Sequence, residues 1–213
     1  MIISLISQKG GVGKTALARL LAVEFIRAGW SVKIADLDTA QGTATKWKAR
    51  RDRANLQPEV PVEKFGTIDR AIREAGRFDL LLLDGPAHAE QGGRAMAKAS
   101  DLVLMPTGYG LDDLEAQVEA AYELEQSGVA NDRIWFVFCR AKGSPSEDQA
   151  ARDYLRRAKI NVFEPIFPDL PSIRQGHNDG KAASEISFPA VQEKVTALAV
   201  AIAAKAQGSK EAA

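Results

Sequence analysis

Residues 7–15 read Ser7-Gln8-Lys9-Gly10-Gly11-Val12-Gly13-Lys14-Thr15 and follow directly on an apolar run over 2–6. A strand therefore feeds a glycine-rich turn, and the turn opens a helix. That helix is marked by Leu17, Leu20, Leu21, Phe25 and Ala28 at helical spacing, with Gly29 stopping it in the C′ position. The chemistry of such a junction is phosphate binding. Successive glycines let backbone N–H groups turn inward around a polyphosphate, and Lys14 neutralises its outer charge. Thr15 offers a hydroxyl to Mg²⁺, and the helix points its positive end at the anion. Gly10, Gly11, Val12, Gly13, Lys14, Thr15 and Ala16 are thus the expected nucleotide-binding loop.

The rest of the chain alternates strand and helix. Strands are expected over 2–6, 32–35, 62–65, 80–83, 102–105, 134–138 and 162–166, and most of these are continuous apolar runs rather than alternating ones. Strands covered on both faces by helices have that pattern. Helical patterns fall over 68–75, 112–126, 147–158 and 191–204. The prediction is an α/β fold: a mostly parallel twisted sheet of about seven strands, with helices on both faces. A single domain is expected over 1–206, with a frayed tail over 207–213. No internal repeat or long linker divides it.

Composition narrows the classes. A chain of 213 residues, 46% hydrophobic, can bury one substantial core. Its 28 acidic and 28 basic residues balance, which argues against a dedicated high-affinity nucleic-acid binder but leaves room for a local basic patch. A single cysteine, Cys139, excludes an internal disulfide and fits a reducing compartment. No apolar stretch approaches the roughly 20 residues of a spanning helix. The chain runs from Met1 straight into a strand without a basic leader. A cytoplasmic protein is expected.

The loop departs from the common P-loop pattern, which places Gly where this chain has Gln8; a second lysine, Lys9, stands at its mouth. The sequence K-G-G-x-G-K-T resembles the deviant Walker A motif of the ParA/MinD ATPases, a branch of the P-loop NTPases. Two more motifs fall where that family has them: Asp36-Leu37-Asp38 after the second apolar run, and Asp84-Gly85-Pro86 after Leu80-Leu81-Leu82-Leu83. All three lie at C-terminal strand ends, where open α/β sheets bind ligands. Order and spacing stay similar through nearly the whole chain. The resemblance is closest to small ParA-type partition and positioning ATPases without an N-terminal DNA-binding domain.

That resemblance implies a weak, Mg²⁺-dependent ATPase with ATP and Mg²⁺ as cofactors. Lys9, Lys14 and Asp38 would be its catalytic residues. Lys9 would reach across a face-to-face homodimer to the partner's nucleotide, and Asp38 would orient or activate the attacking water. Thr15, Asp84 and Asp38 would serve the metal, Asp84 through water. Asp36 and Gln41 would support the switch loop, while Gly85 and Pro86 would sense the γ-phosphate. An adenine pocket is implied near the end of the 134–138 strand and the 168–171 loop, with Arg140 and Pro168 as candidates. The chain departs from the family in three places. It reads Asp38-Thr39-Ala40-Gln41 where relatives often read D-P-Q, has Ala16 where they usually carry a second Thr, and has Cys139 at a frequent Asn.

Plainer readings stand beside these. Gly11-Val12-Gly13-Lys14-Thr15-Ala16 also matches the G-x-G-x-x-A of a dinucleotide site with Asp36 as the ribose-binding acid, which leaves Lys9, Lys14 and Asp84-Gly85-Pro86 unexplained. Lys9 is otherwise a solvated loop charge, Asp36 or Asp38 a cap, Asp84-Gly85 a turn, and Cys139 a small buried side chain. His88 and His177 belong to no metal-ligand set and receive no role. The dense basic stretch 46–53 is either a solvated helix face or, as the resemblance implies, a salt-sensitive DNA contact. Lys46, Lys48, Arg50, Arg51 and Arg53 would make that contact, and Arg152, Arg156, Arg157 and Lys159 form a second candidate patch.

The function expected is that of an ATPase that dimerises on ATP and binds DNA non-specifically. It would position plasmid or chromosomal DNA or a protein cargo, and a ParB-like or cargo-adaptor activator would release it from the nucleoid. A MinD-like membrane-associated ATPase is the alternative. The Ala-rich end, closing in Gln207-Gly208-Ser209-Lys210-Glu211-Ala212-Ala213, carries no bulky apolar anchor, so stable membrane association is not expected. An amidating or ligating enzyme with the same loop is a further alternative.

Overall fold

The computed structural model describes residues 1–87, 90–139 and 144–211. Among them, seven strands form one sheet: β1 (Ile2–Leu5), β2 (Val32–Asp36), β3 (Val62–Lys64), β4 (Leu80–Asp84), β5 (Leu102–Thr107), β6 (Ile134–Phe138) and β7 (Asn161–Val162). Their order is β3-β2-β4-β1-β5-β6-β7, and every pairing is parallel. The helices are α1 (Lys14–Arg27), α2 (Thr43–Arg53), α3 (Ile68–Ile72), α4 (Glu90–Ala99), α5 (Leu111–Gln126), α6 (Pro145–Arg157), α7 (Pro171–Asn178) and α8 (Pro189–Glu211). The chain is a single α/β domain of the expected class.

Continuous apolar runs are explained by two covered faces. Leu80 and Leu82 of β4, with Leu102 and Leu104 of β5, join the core under α1 and α8. The residues between them turn the other way, Leu81 and Leu83 toward Met96 and Val103 and Met105 toward α5. Each such leucine contributes about 1.5–3 kcal/mol by leaving water. Among the described residues, no helix is long and apolar enough to cross a membrane.

The register places the chemistry. β1 lies between β4 and β5, where the strand order reverses, the usual ligand position in open α/β sheets. Asp84 pairs laterally with Leu5 on one side and Asp36 on the other. The glycine loop and both acidic motifs therefore leave the same edge of the sheet.

Several elements differ from expectation: α4 and α7 fall outside the helical patterns of the sequence, and α3 ends at Ile72. β7 spans two residues because Pro165 cannot donate to a ladder, and pairing resumes only as a bridge between Cys139 and Phe167. α8 continues to Glu211, through most of the segment read as a frayed tail.

The basic stretch is corrected more sharply. α2 buries Ala44, Trp47 and Arg51 as its inner face. Arg51 is fully buried and cannot contact DNA. Its Nη1 donates to Gly180 O at 3.1 Å and Glu185 Oε2 at 2.6 Å, and its Nη2 to Pro58 O and Glu185 Oε1, each at 2.9 Å. Gly180, at φ +80°, lies so close to α2 that a Cβ there would stand 2.6 Å from Arg51 Cα. Lys48 pairs with Asp52 at 2.7 Å, and Arg50 Nε donates to His177 O at 3.3 Å. Lys46 and Arg53 remain exposed. In the second patch, Arg152 is also buried, bonded to Asp148 and to the Phe163 and Glu164 carbonyls.

Candidate functional site

The loop between β1 and α1 bends through Gly11 (φ +73°) and Gly13 (φ +115°), conformations that side chains resist. Gly13 is also crowded from below, since a Cβ there would sit 3.1 Å from Cys139 Cβ. Cys139 is thus a buried floor for the loop. The loop's entrance is held by Gln117 of α5, whose Oε1 accepts from Ser7 Oγ at 3.3 Å and Gln8 N at 3.2 Å. Gln117 Nε2 donates to Ile6 O at 3.1 Å. Sequence reasoning missed this buried anchor, because a lone glutamine more than a hundred residues from the loop carries no motif.

Lys14 opens α1, and its Nζ lies 3.4 Å from Lys9 O. Burial lowers the pKa of its ammonium, while Asp84 and then Asp38 pull it back up. Asp84 is almost wholly buried, and its Oδ1 has no hydrogen-bond partner among the described residues. Burial pushes its carboxyl up to about 6, against the hydrogen bond from Thr15 and the charges of Arg19 and Lys14, with Asp36 adding to the rise. A buried carboxylate beside a threonine hydroxyl, with an oxygen unsatisfied, suits a hydrated Mg²⁺ carried in on phosphate oxygens.

Asp36 and Asp38 do separate work. Asp36 Oδ2 accepts from Thr45 N at 3.0 Å and Thr45 Oγ1 at 2.8 Å. It thereby caps α2 from outside, because the N-cap residue, Gly42, has no side chain to do so. Asp38 Oδ1 accepts from Gln41 N, three residues on, at 3.0 Å, bridging the altered switch segment. Gly85 cannot be replaced without movement, since a Cβ there would meet Met96 Sδ at 2.8 Å.

These residues converge on one open cleft. Gly10, Gly11, Gly13, Lys14, Thr15, Ala16, Asp38, Gln41 and Gly85 line it as expected, joined by Arg19, Thr43, Ala87 and His177. Asp84 sits beneath this lining; Pro86 lines the neighbouring cavity with Arg94 and Glu123. Val12 is half-buried in the loop. Pro168 is half-buried and not among the cleft's lining residues. Arg140 and His88 lie outside the described residues. Lys9 points to its own chain, its ammonium paired with Asp113 in the first turn of α5.

A family model described as the CobQ/CobB/MinD/ParA nucleotide binding domain matches residues 3–181. Comparison of the sequence with curated proteins gives no match. Among solved structures, the septum site-determining protein MinD of Pyrococcus horikoshii, complexed with Mg-ADP, is 20% identical. It superposes with a TM-score of 0.72 over 94% of this chain and 95% of its own. An ATP complex of McdA from Cyanothece is 18% identical, with a TM-score of 0.69 over 99% and 95%. A ParA family ATPase from Chlorobium tepidum is 12% identical, with a TM-score of 0.72 over 93% and 98%. At these identities the likeness speaks for the fold.

Proposed function

Because the chain belongs to the CobQ/CobB/MinD/ParA nucleotide-binding family, we propose that it is an ATP-switched positioning ATPase. In this reading it dimerises face to face on ATP, binds DNA non-specifically, and releases when a ParB-like or adaptor protein stimulates hydrolysis. The carrying observation is Lys9, a half-exposed lysine next to the glycine loop whose cleft already has Lys14 for its phosphates. The Mg-ADP and ATP complexes of its structural relatives support Mg²⁺ and ATP as the cofactors.

Each residue then has a task. The loop amides and Lys14 hold the phosphates, and Thr15 with Asp84 holds the Mg²⁺, which supplies charge neutralisation on the phosphate oxygens. Asp38, held by Gln41 N, positions a water. Asp36 keeps the switch loop tied to α2. Lys9 leaves Asp113 and enters the partner's cleft, where a fixed cation stabilises charge building on the transferred phosphoryl group. Gly85 and Pro86 sense the γ-phosphate at the foot of α4.

Lys9→Ala is expected to leave ATP affinity nearly unchanged and to abolish the ATP-dependent dimer. Analytical ultracentrifugation in ATP and ADP checks this, and a normal ATP dimer from the variant would remove Lys9 from the clamp.

For DNA, Lys46 and Arg53 are the exposed cations of α2, with Arg156 and Arg157 a second group. Co-sedimentation with non-specific duplex should show retention in ATP only, falling steeply as salt rises. Retention on liposomes in ATP, with none on DNA, would transfer the reading to a membrane-positioning ATPase.

A further inference from the structure

Arg19 and His177 line the cleft but belong neither to the glycine loop nor to the switch motifs. Arg19 stands on α1 one turn beyond Thr15 and is 4% exposed. Its Nη2 donates to Thr43 O at 2.9 Å and its guanidinium lies 5.5 Å from the centre of the Trp47 ring. Its Nε finds no hydrogen-bond partner among the described residues. His177 reaches the cleft from α7, and its buried Nε2 is likewise without a partner among them. Neither the phosphate loop nor the Mg²⁺ position makes use of these two atoms.

A buried polar atom left unpaired is costly. Two such atoms in the wall of one cleft point to a ligand that supplies both partners. The glycine amides, Lys14 and Thr15 answer to the outer phosphates and the metal. What a nucleotide still presents to the remaining wall is its ribose and the phosphate next to it. Ala16 gives that stretch no side-chain donor. Arg19 supplies charge where a phosphate oxygen needs it. His177 is held neutral, pushed down to about 3 by burial and by the charges of Arg19 and Arg50, so its ring suits an uncharged hydroxyl.

We propose that Arg19 and His177 hold the inner end of the bound nucleotide, Arg19 through Nε to the α-phosphate and His177 through Nε2 to a ribose hydroxyl. This assignment rests on reading the cleft as a nucleotide site. It makes the pair specificity-determining: the side chains tell a ribonucleotide from its deoxy analogues, a distinction that the phosphate loop cannot make.

The test is calorimetric titration of the full chain with ATP, ADP, 2′-deoxy-ATP and 3′-deoxy-ATP in Mg²⁺. Arg19→Gln should weaken ATP and ADP alike by about 10- to 100-fold, the loss of one charged hydrogen bond. His177→Phe should weaken ATP by about fivefold and erase the gap between ATP and one deoxy analogue. Unfolding midpoints without nucleotide establish that the variants fold; if Arg19→Gln does not, Arg19→Lys keeps the charge, removes Nε and should still lose affinity. Wild-type protein that binds ATP and both deoxy analogues equally, or folded variants that bind ATP as wild type does, would overturn the pair's role and leave the nucleotide site standing. Wild-type protein that binds no nucleotide at all would overturn both.

Discussion

Lys14→Ala is expected to eliminate measurable ATP binding while leaving the fold intact. Alanine is a strong helix former at the start of α1, and among the described residues the hydrogen bond of Lys14 Nζ to the loop is the long one to Lys9 O at 3.4 Å. The nucleotide, in contrast, loses the buried cation of the glycine loop that faces its outer phosphates, while Asp84 and Asp38 remain nearby. A charged hydrogen bond contributes about 1.5–3 kcal/mol, and unscreened carboxylates beside a polyphosphate add repulsion. The dissociation constant should rise by at least about a hundredfold. Titration with ATP and Mg²⁺ measures this directly, and an affinity within a few-fold of wild type would mean that the phosphates lie elsewhere.

Arg51→Ala is expected to produce the largest loss of stability, about 3–5 kcal/mol. The substitution strips partners from Glu185, Gly180 O and Pro58 O at once. Glu185 keeps a long 3.4 Å contact with the exposed Arg27 and the Ala182 N–H, which do not replace a bidentate guanidinium. For a domain of this size the midpoint of thermal unfolding should fall by about 6–20 °C. Lys46→Ala, on the exposed face of the same helix, should stay within about 0.5 kcal/mol of wild type. Equal midpoints for the two variants would remove Arg51 from the core.

What could be read beforehand follows from how local each signal is. The glycine loop, the Asp36 and Asp84 strand ends and the apolar runs of β1, β2, β4, β5 and β6 are contiguous, and the sheet uses them as contiguous units. The period of α2 was also legible. Trp47 and Arg51 are four apart and share a face with Ala44, yet the count of charges outweighed their spacing. Other residues had no such signal. Gln117 meets Ser7 across 110 positions, and Arg19 shares a cleft with His177 only because α7 packs against α2. Asp36 caps a helix nine residues on, a duty created by the missing side chain of Gly42.

The anchorage of α2 sets how nucleotide state can leave the cleft. Its N-terminus is tied to Asp36, its middle is clamped through Trp47 to Lys181 O, and its end is locked by Arg51 on Glu185. A helix fastened at three levels is a fixed post, not a lever. On this side of the cleft, changes at the phosphates would therefore fall on the short span 37–42 between β2 and that post. A protein that reads the nucleotide state through this flank of the cleft would have to touch those few residues where they surface, because the helix behind them is too firmly fastened to carry the change onward.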